Sequence, residues 1–235
     1  MNRERNAPAA ARPHVVLSAA VSLDGHLDDL HPDRLMLSGP EDLARVDALR
    51  ARSDAILIGA TTLLRDRPGL ALRDPGLIRG RRESGLPDHP RKVVLTNRTE
   101  LDRDLGFWHN GGTRTVYTTD RSASALAAHL RGLADVVPAG QPVDLRAVLA
   151  DLADRGVQML MVEGGGSVLT QFLAQGLADE LHLAVAPHLV GESDAPRFLR
   201  PAAFPGGPRH RFRTIGTELV GDVVVARYAF GEPTG

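Results

Sequence analysis

VQMLMVEGGGSVLT, residues 157–170, is the stretch on which the fold turns. An apolar run from Val157 to Val162 ends at Glu163, and Gly164, Gly165 and Gly166 separate it from Ser167. Beyond Ser167, the residues Val168, Leu169, Phe172 and Leu173 fall at helical spacing. The pattern reads as a buried strand, a tight turn and the start of a helix. Glycine lets a backbone come close to a ligand and take positive φ. The unpaired N–H groups and partial positive charge of a helix's first turn suit a phosphate. Glu163 falls at the carboxyl end of the strand, the edge at which open α/β sheets hold their ligands. By itself the stretch fits a ligand site or a plain glycine turn beside an exposed acid.

The same device occurs earlier. Ala55–Gly59 (AILIG) reads as a short buried parallel strand, and Ala60-Thr61-Thr62-Leu63-Leu64 opens a helix directly after its glycine. Two such junctions predict one extended ligand crossing several strand ends. Around them, His14–Val21 reads as a first strand, followed by a Ser22–Gly25 turn and a polar loop over Leu27–Leu35. Ser38 and Glu41, with Pro40 between them, form a capping-box pattern for a helix whose inner face carries Leu43, Val46 and Leu49. Asp66–Gly69 closes the Ala60 helix, Leu70–Arg73 is extended, and Ile78–Pro90 reads as an Arg/Gly/Pro-rich surface loop.

Lys92–Thr96, Thr113–Thr118 and Val136–Val137 read as strands, and Ser122–Leu133 as a helix. Asp144 caps a further helix to Arg155, with Gly156 at its C′ position. Asp179–Pro187 reads as a half-exposed strand with Leu181, Leu183 and Val185 on one face and His182 on the other. Arg211–Leu219 and Asp222–Phe230 form a hairpin about Gly221. Alternating strands and helices with a closing antiparallel pair define an α/β domain with a mixed sheet. It is read as one domain over 13–235, after a flexible tail over 1–12.

Composition narrows the chemistry. The 235 residues carry 28 Lys+Arg against 29 Asp+Glu, a net charge of −1, with no basic excess to recruit nucleic acid. Cysteine is absent, which excludes disulfides, thiolate metal sites and a cysteine nucleophile. The nine histidines show no metal-ligand spacing, so no metal is expected. No apolar run approaches the ~20 residues of a membrane helix, and the N-terminus lacks a signal-peptide core, so a cytoplasmic protein without a membrane partner is expected. G-x-G-x-x-G, the Walker lysine motif and G-x-S-x-G are all missing. Ser167 reads as a helix-capping hydroxyl rather than a nucleophile. Arg50 and Arg73 are either phosphate-gripping forks or ordinary solvated arginines. Asp24 and Asp66 sit at turn positions.

Ala20-Val21-Ser22-Leu23-Asp24-Gly25 resembles the A-x-S-L-D-G start of the riboflavin-biosynthesis pyrimidine reductases, the reductase domain of the bifunctional deaminase–reductase. The resemblance continues through Ser38-Gly39, Leu49-Arg50-Ala51, Asp54–Gly59, Thr62-Leu63-Leu64 and Asp66-Arg67-Pro68 with Leu70 and Arg73. It ends with Val162–Gly165, Leu177–Leu181 and Ala186-Pro187, and so spans Pro13 to Gly191 in the family's order.

The resemblance implies a dihydrofolate-reductase-like fold, a mostly parallel mixed sheet flanked by helices, together with NADPH as cofactor and a homodimer. It implies that Ala20, Met36, Thr62, Asp66, Asn97, Gly165, Gly166, Ser167 and Val168 line the NADPH site. Arg34, Arg50, Leu70, Arg73 and Glu163 would then face a small-molecule sugar-phosphate substrate, a ribosylaminopyrimidine phosphate whose ribosyl group becomes ribityl. No catalytic proton donor is assigned. Three positions depart from the family's common pattern: Ser18 replaces a first-strand lysine, Met36-Leu37-Ser38 replaces Trp-Ile-Thr, and Asp66-Arg67-Pro68 replaces Asp-Asp-Pro. A sister reductase of another C=N or C=O substrate, or a non-catalytic nucleotide-binding homologue, are the other readings the residues admit.

Overall fold

A computed structural model describes residues 12–230. Apart from Arg12, the tail read over 1–12 lies outside the described residues, as do residues 231–235 of the predicted domain. The elements are β1 (His14–Ser22), α1 (Pro40–Arg52), β2 (Ala55–Gly59), α2 (Ala60–Asp66), α3 (Pro75–Glu83), β3 (Arg91–Leu95), α4 (Gly106–His109) and β4 (Arg114–Thr118). There follow α5 (Asp120–His129), β5 (Asp135–Pro138), α6 (Leu145–Asp154), β6 (Met159–Gly164), α7 (Gly166–Ala174), β7 (Glu180–Ala186), β8 (Arg213–Val220) and β9 (Val223–Ala229).

They build one nine-stranded sheet in the order β5-β4-β3-β2-β6-β1-β7-β9-β8. Every pairing from β5 to β7 is parallel, and β9 runs antiparallel to both β7 and β8. This is the expected mixed sheet with its C-terminal hairpin. The two glycine-ended strands, β2 and β6, are neighbours, with Ile58 beside Gly164.

Helices cover both faces. On one, Leu17, Leu57, Val93 and Val162 pack against Val148, Leu149 and Leu152 of α6 and Leu169 and Phe172 of α7. On the other, Ile56, Ile58, Val94 and Val116 meet Leu63 of α2, Phe107 and Trp108 of α4 and Leu126 of α5. Each fully buried side chain of this size contributes roughly 1.5–3 kcal/mol of transfer free energy, against the entropy of ordering it. Both strand faces are apolar, which is why the central strands read as unbroken hydrophobic runs.

Several local expectations are corrected. Ser38 does not cap α1; Gly39 occupies the N-cap, and the Ser38 hydroxyl donates instead to Asp42 Oδ2 at 2.5 Å. The inner face of α1 carries Leu49 and the partly buried Val46 as expected, together with buried Asp42 and Asp47, whereas Leu43 is 43 % exposed. Residues 78–83, placed in a loop by their Arg and Gly content, belong to α3, with Pro75 in its first turn and the Asp74 side chain accepting from the Gly76 amide. Ser167 makes no capping bond; Gly165 is the N-cap of α7. His182 is buried rather than on the strand surface, 3.1 Å from Glu180, because β7 lies inside the sheet between β1 and β9. Burial lowers its pKa, with Arg45 and Arg227 adding to the effect and Glu180 opposing it. Asp144 caps α6 as expected, and Gly156 beyond the helix has φ +83°.

Lys92 in β3 is fully buried, and its Nζ donates to the carbonyls of Phe107 at 3.0 Å and Asn110 at 2.5 Å. Burial, with Arg114 nearby, lowers its pKa to about 8. Below that value the folded and unfolded chains are both protonated there. Between about 8 and the unfolded value near ~10.4 only the unfolded chain holds the proton, so stability rises with pH. Wild type should therefore gain stability relative to Lys92→Met across that window, by up to about 1.4 kcal/mol per pH unit in urea denaturation. The opposite contribution of Tyr117, whose pKa is raised, cancels in the difference between the two proteins. A pH-independent difference would refute the assignment.

Candidate active site

The carboxyl ends of β1, β6, β2, β3 and β4 open into one cleft of about 2010 Å3. Every residue assigned to the cofactor or substrate site lines it: Ala20, Arg34 and Met36 from β1 and the loop after it, Arg50 from α1, and Thr62 and Asp66 from α2. Leu70 and Arg73 follow α2, Asn97 follows β3, and Glu163, Gly165, Gly166, Ser167 and Val168 bridge β6 and α7.

Close approach explains the glycines. A Cβ on Gly59 would lie 2.9 Å from Val168 Cγ2, and one on Gly165 would lie 3.0 Å from Thr62 Oγ1. A Cβ on Gly166 would collide with the backbone oxygens of Arg197 and Phe198. Gly164 takes φ +110°. The result is a thin wall at which the Gly166 and Ser167 amides have no acceptor among the described residues. The Val168 amide, expected to be available too, donates to Gly165 O at 2.8 Å.

Arg50 and Glu163 form a two-bond fork, with Nε–Oε1 and Nη2–Oε2 both at 2.7 Å. Arg50 also lies 3.6 Å from Asp47, whose other oxygen accepts from the Arg73 amide at 3.1 Å. Burial works against the charge of Arg50, but Glu163 and Asp47 outweigh it and hold its pKa above the usual arginine value. Arg50 is therefore a committed partner of Glu163, while the exposed Arg73 side chain has no hydrogen-bond partner among the described residues. Asp66 accepts no hydrogen bond among the described residues; burial chiefly raises its pKa, Arg34 pulls it down and Asp28 adds to the rise.

Buried Asp28 was not legible in the sequence, yet it holds the β1–α1 loop in place. It accepts from Arg65 Nε at 2.7 Å and the Leu35 amide at 2.9 Å, which ties the loop that carries Arg34 and Met36 to α2. Asp24 accepts from Ser22 Oγ and from the amides of Val190 and Gly191, bonds that keep its pKa below the usual carboxylate range. Arg67 ends α2 in the left-handed region and pairs with Asp102 at 3.1 Å on the rim. Arg45, Arg98 and Arg121 also line the cleft, and nothing in their sequence neighbourhood distinguished them from surface arginines. No group of three or more His, Asp or Glu among the described residues is arranged to hold a metal.

Residues 13–226 match the model of the RibD C-terminal domain. A 2,5-diamino-6-ribosylamino-4(3H)-pyrimidinone 5′-phosphate reductase of Archaeoglobus fulgidus is 35% identical over 187 residues, 79% of this chain and 85% of the relative. The protein of the same name from Methanothermobacter thermautotrophicus is 34% identical over 78% of this chain and 82% of its own length. Among solved structures, a pyrimidine reductase-like protein from Corynebacterium diphtheriae superposes with a TM-score of 0.75 at 21% identity, covering 92% of this chain and 91% of that one. With this fold, this cleft and a match over nearly all the described residues, the chain belongs to the RibD C-terminal domain family.

Proposed function

We propose that the chain is an NADPH-dependent reductase that converts the ribosyl group of a ribosylaminopyrimidine 5′-phosphate to ribityl. The observation that carries the reading is the convergence of two neighbouring glycine-ended strands on one cleft whose polar groups stand partly unpaired. The Gly166 and Ser167 amides at the start of α7 suit a pyrophosphate. The Thr62 hydroxyl makes no side-chain hydrogen bond among the described residues, and Asp66 is an open acceptor beside it on α2. These donors and acceptors fit a dinucleotide lying along the strand tips, from Ala20 and Met36 at one end to Asn97 at the other.

The substrate lies on the α1 side. Arg73, with Arg34, supplies cations for its phosphate, and Leu70 supplies an apolar surface. Glu163, already clamped by Arg50, keeps lone pairs free to accept from a sugar hydroxyl or amino group, which orients the acceptor carbon. NADPH, when bound, supplies the hydride. The chain's contribution is to bind, orient and exclude water.

On this reading the protein works in the cytoplasm, and no helix among the described residues is long and apolar enough to cross a membrane. A homodimer is supported by an apolar row across β7, β9 and β8, where Val185 is paired with Val224 and Val224 with Leu219. Leu219 is 72 % exposed and Val224 50 %.

Incubation with 2,5-diamino-6-ribosylamino-4(3H)-pyrimidinone 5′-phosphate should consume NADPH and yield the ribityl product. Nucleotide binding without consumption would favour a sister reductase or a non-catalytic homologue, and no binding at all would defeat the reading. Thr62→Val should weaken NADPH binding by about 1 kcal/mol, or more if its partner is a charged phosphate, as measured by calorimetry. Unchanged affinity would leave Thr62 a plain helix residue. Arg73→Ala should raise KM about tenfold or more with kcat nearly unchanged, the mark of an interaction made equally in ground and transition states. A fall in kcat alone would move Arg73 out of the phosphate site.

A further inference from the structure

We propose that His182, acting through the Ser18 hydroxyl, delivers the proton that completes the reduction. The proposal rests on the reductase reading above. Hydride addition to the acceptor carbon moves the π electrons of a C=N or C=O bond onto its nitrogen or oxygen, and that atom must then take one proton. The groups placed around the substrate so far do not give one. Arg34, Arg50 and Arg73 keep their protons, and Glu163 is held as an acceptor by the Arg50 fork.

One polar row crosses the sheet at this level, on the face that α1 covers. Leu17 pairs with Val162, so one step further along both strands Ser18 comes beside Glu163. Ser18 pairs with His182 on β7, and His182 with Arg227 on β9. Registered partners on neighbouring strands stand about 4.8 Å apart with their side chains on one face. Both flanks of the row are apolar: Val16 packs with Leu49 and Met161 on one, and Ala184 with Leu37 and Val225 on the other. Ser18 lines the cleft, and buried His182 stands one strand behind it. Two polar side chains set side by side between apolar clusters, one of them open to the cleft, make a path of two steps from the sheet interior to the reacting centre.

The imidazole is set up to give its proton from one nitrogen. Glu180 Oε2 accepts from Nε2 at 3.1 Å, which keeps a hydrogen on that nitrogen in both the neutral and the charged ring. Nδ1 has no hydrogen-bond partner among the described residues, and it carries a hydrogen only in the imidazolium. The other charges that face the ring are Arg45 of α1, paired with Asp42 at 2.7 Å, and Arg227, whose guanidinium lies over Gly216 with Nε buried and unpartnered. The second oxygen of Glu180 lies 3.2 Å from half-exposed His14. Burial chiefly lowers the pKa of His182, the two arginines add to this and Glu180 opposes it, so the imidazolium gives up its proton more readily than an ordinary histidine.

The step balances. The Nδ1–H bond breaks as its proton joins Ser18 Oγ, and the Oγ–H bond breaks as its proton joins the substrate nitrogen or oxygen. The imidazolium becomes neutral imidazole, the hydroxyl is restored, and the new electron pair on the substrate becomes an N–H or O–H bond. Water recharges the ring after the product leaves.

The test follows single-turnover loss of NADPH absorbance with saturating 2,5-diamino-6-ribosylamino-4(3H)-pyrimidinone 5′-phosphate from about pH 5 to about pH 9, and NADPH affinity by fluorescence. The active form is the imidazolium, so the wild-type rate should fall as pH rises through an ionisation below about 6.5. His182→Gln should be slower by about a hundredfold at the acid end and should lose that ionisation, with NADPH affinity within about twofold of wild type. Ser18→Ala should show the same loss, whereas Ser18→Thr, which keeps a hydroxyl, should retain the ionisation and most of the rate. A His182→Gln protein that keeps the wild-type rate and ionisation, or that slows equally at every pH, would overturn the proposal and leave His182 a packing residue. If that variant does not fold, the Ser18→Ala and Ser18→Thr pair decides on the same criteria. Wild type that binds NADPH and transfers no hydride would overturn the reductase reading itself, and the proposal with it.

Discussion

The site depends on how closely two strand tips and two helices can crowd together. Gly59 faces Val168, Gly165 faces Thr62, and Gly166 faces the backbone of Arg197 and Phe198, each at a distance that leaves little or no room for a Cβ. These contacts are local, but they let the adjacent tips of β2 and β6 share one thin wall. With bulkier residues there, α7 would be displaced from the sheet, and its first-turn amides with it. Backbone proximity, more than any one side chain, makes the cleft.

Charge within the cleft is divided between committed and free groups. Arg50 is fully engaged by Glu163 and Asp47, so its work is to hold the carboxylate of Glu163 in one orientation. Asp47 extends the arrangement to the Arg73 amide, which fixes the backbone from which the free guanidinium of Arg73 projects. A paired arginine and an unpaired one thus stand side by side, joined through a single aspartate. The pairing offsets part of the desolvation cost that a lone carboxylate would carry in this half-buried place.

Much of this was legible in the chain. The apolar runs of Ala55–Gly59 and Val157–Val162, the first ended by glycine and the second followed by Glu163 and three glycines, are visible as central strands, because strands buried on both faces need no polar alternation. The 13 positions matched from Ala20 to Val168, with Arg34, all fell in the same cleft. What escaped has a common physical cause. The residues of α3 look like loop because its only buried side chain is Arg81, so no apolar periodicity marks it. Asp28, Asp42, Lys92 and His182 are polar residues whose burial is set by distant partners, and a linear pattern carries no trace of those partners. Ser38 and Ser167 were read as caps from local motifs, but glycines took both N-cap positions. Arg98 and Arg121 resembled every other arginine until the fold set both on the wall of the cleft.

The long segment between β7 and β8 is tied down very unevenly. Its first part is stitched to the body: Asp24 holds Val190 and Gly191, the Leu27 amide donates to Pro196 O, the Phe198 amide to Gly25 O, and the Arg200 amide to Thr170 Oγ1. From 201 to 210 the only backbone hydrogen bonds among the described residues are the short-range ones of a surface turn, Gly207 to Phe204 and His210 to Gly207. Tolerance to length change should follow the same line. Relatives can lengthen or shorten the outer half while leaving the start of α7 undisturbed, whereas one residue gained or lost before 200 would shift the strip that leans on Gly166 and open the wall from behind.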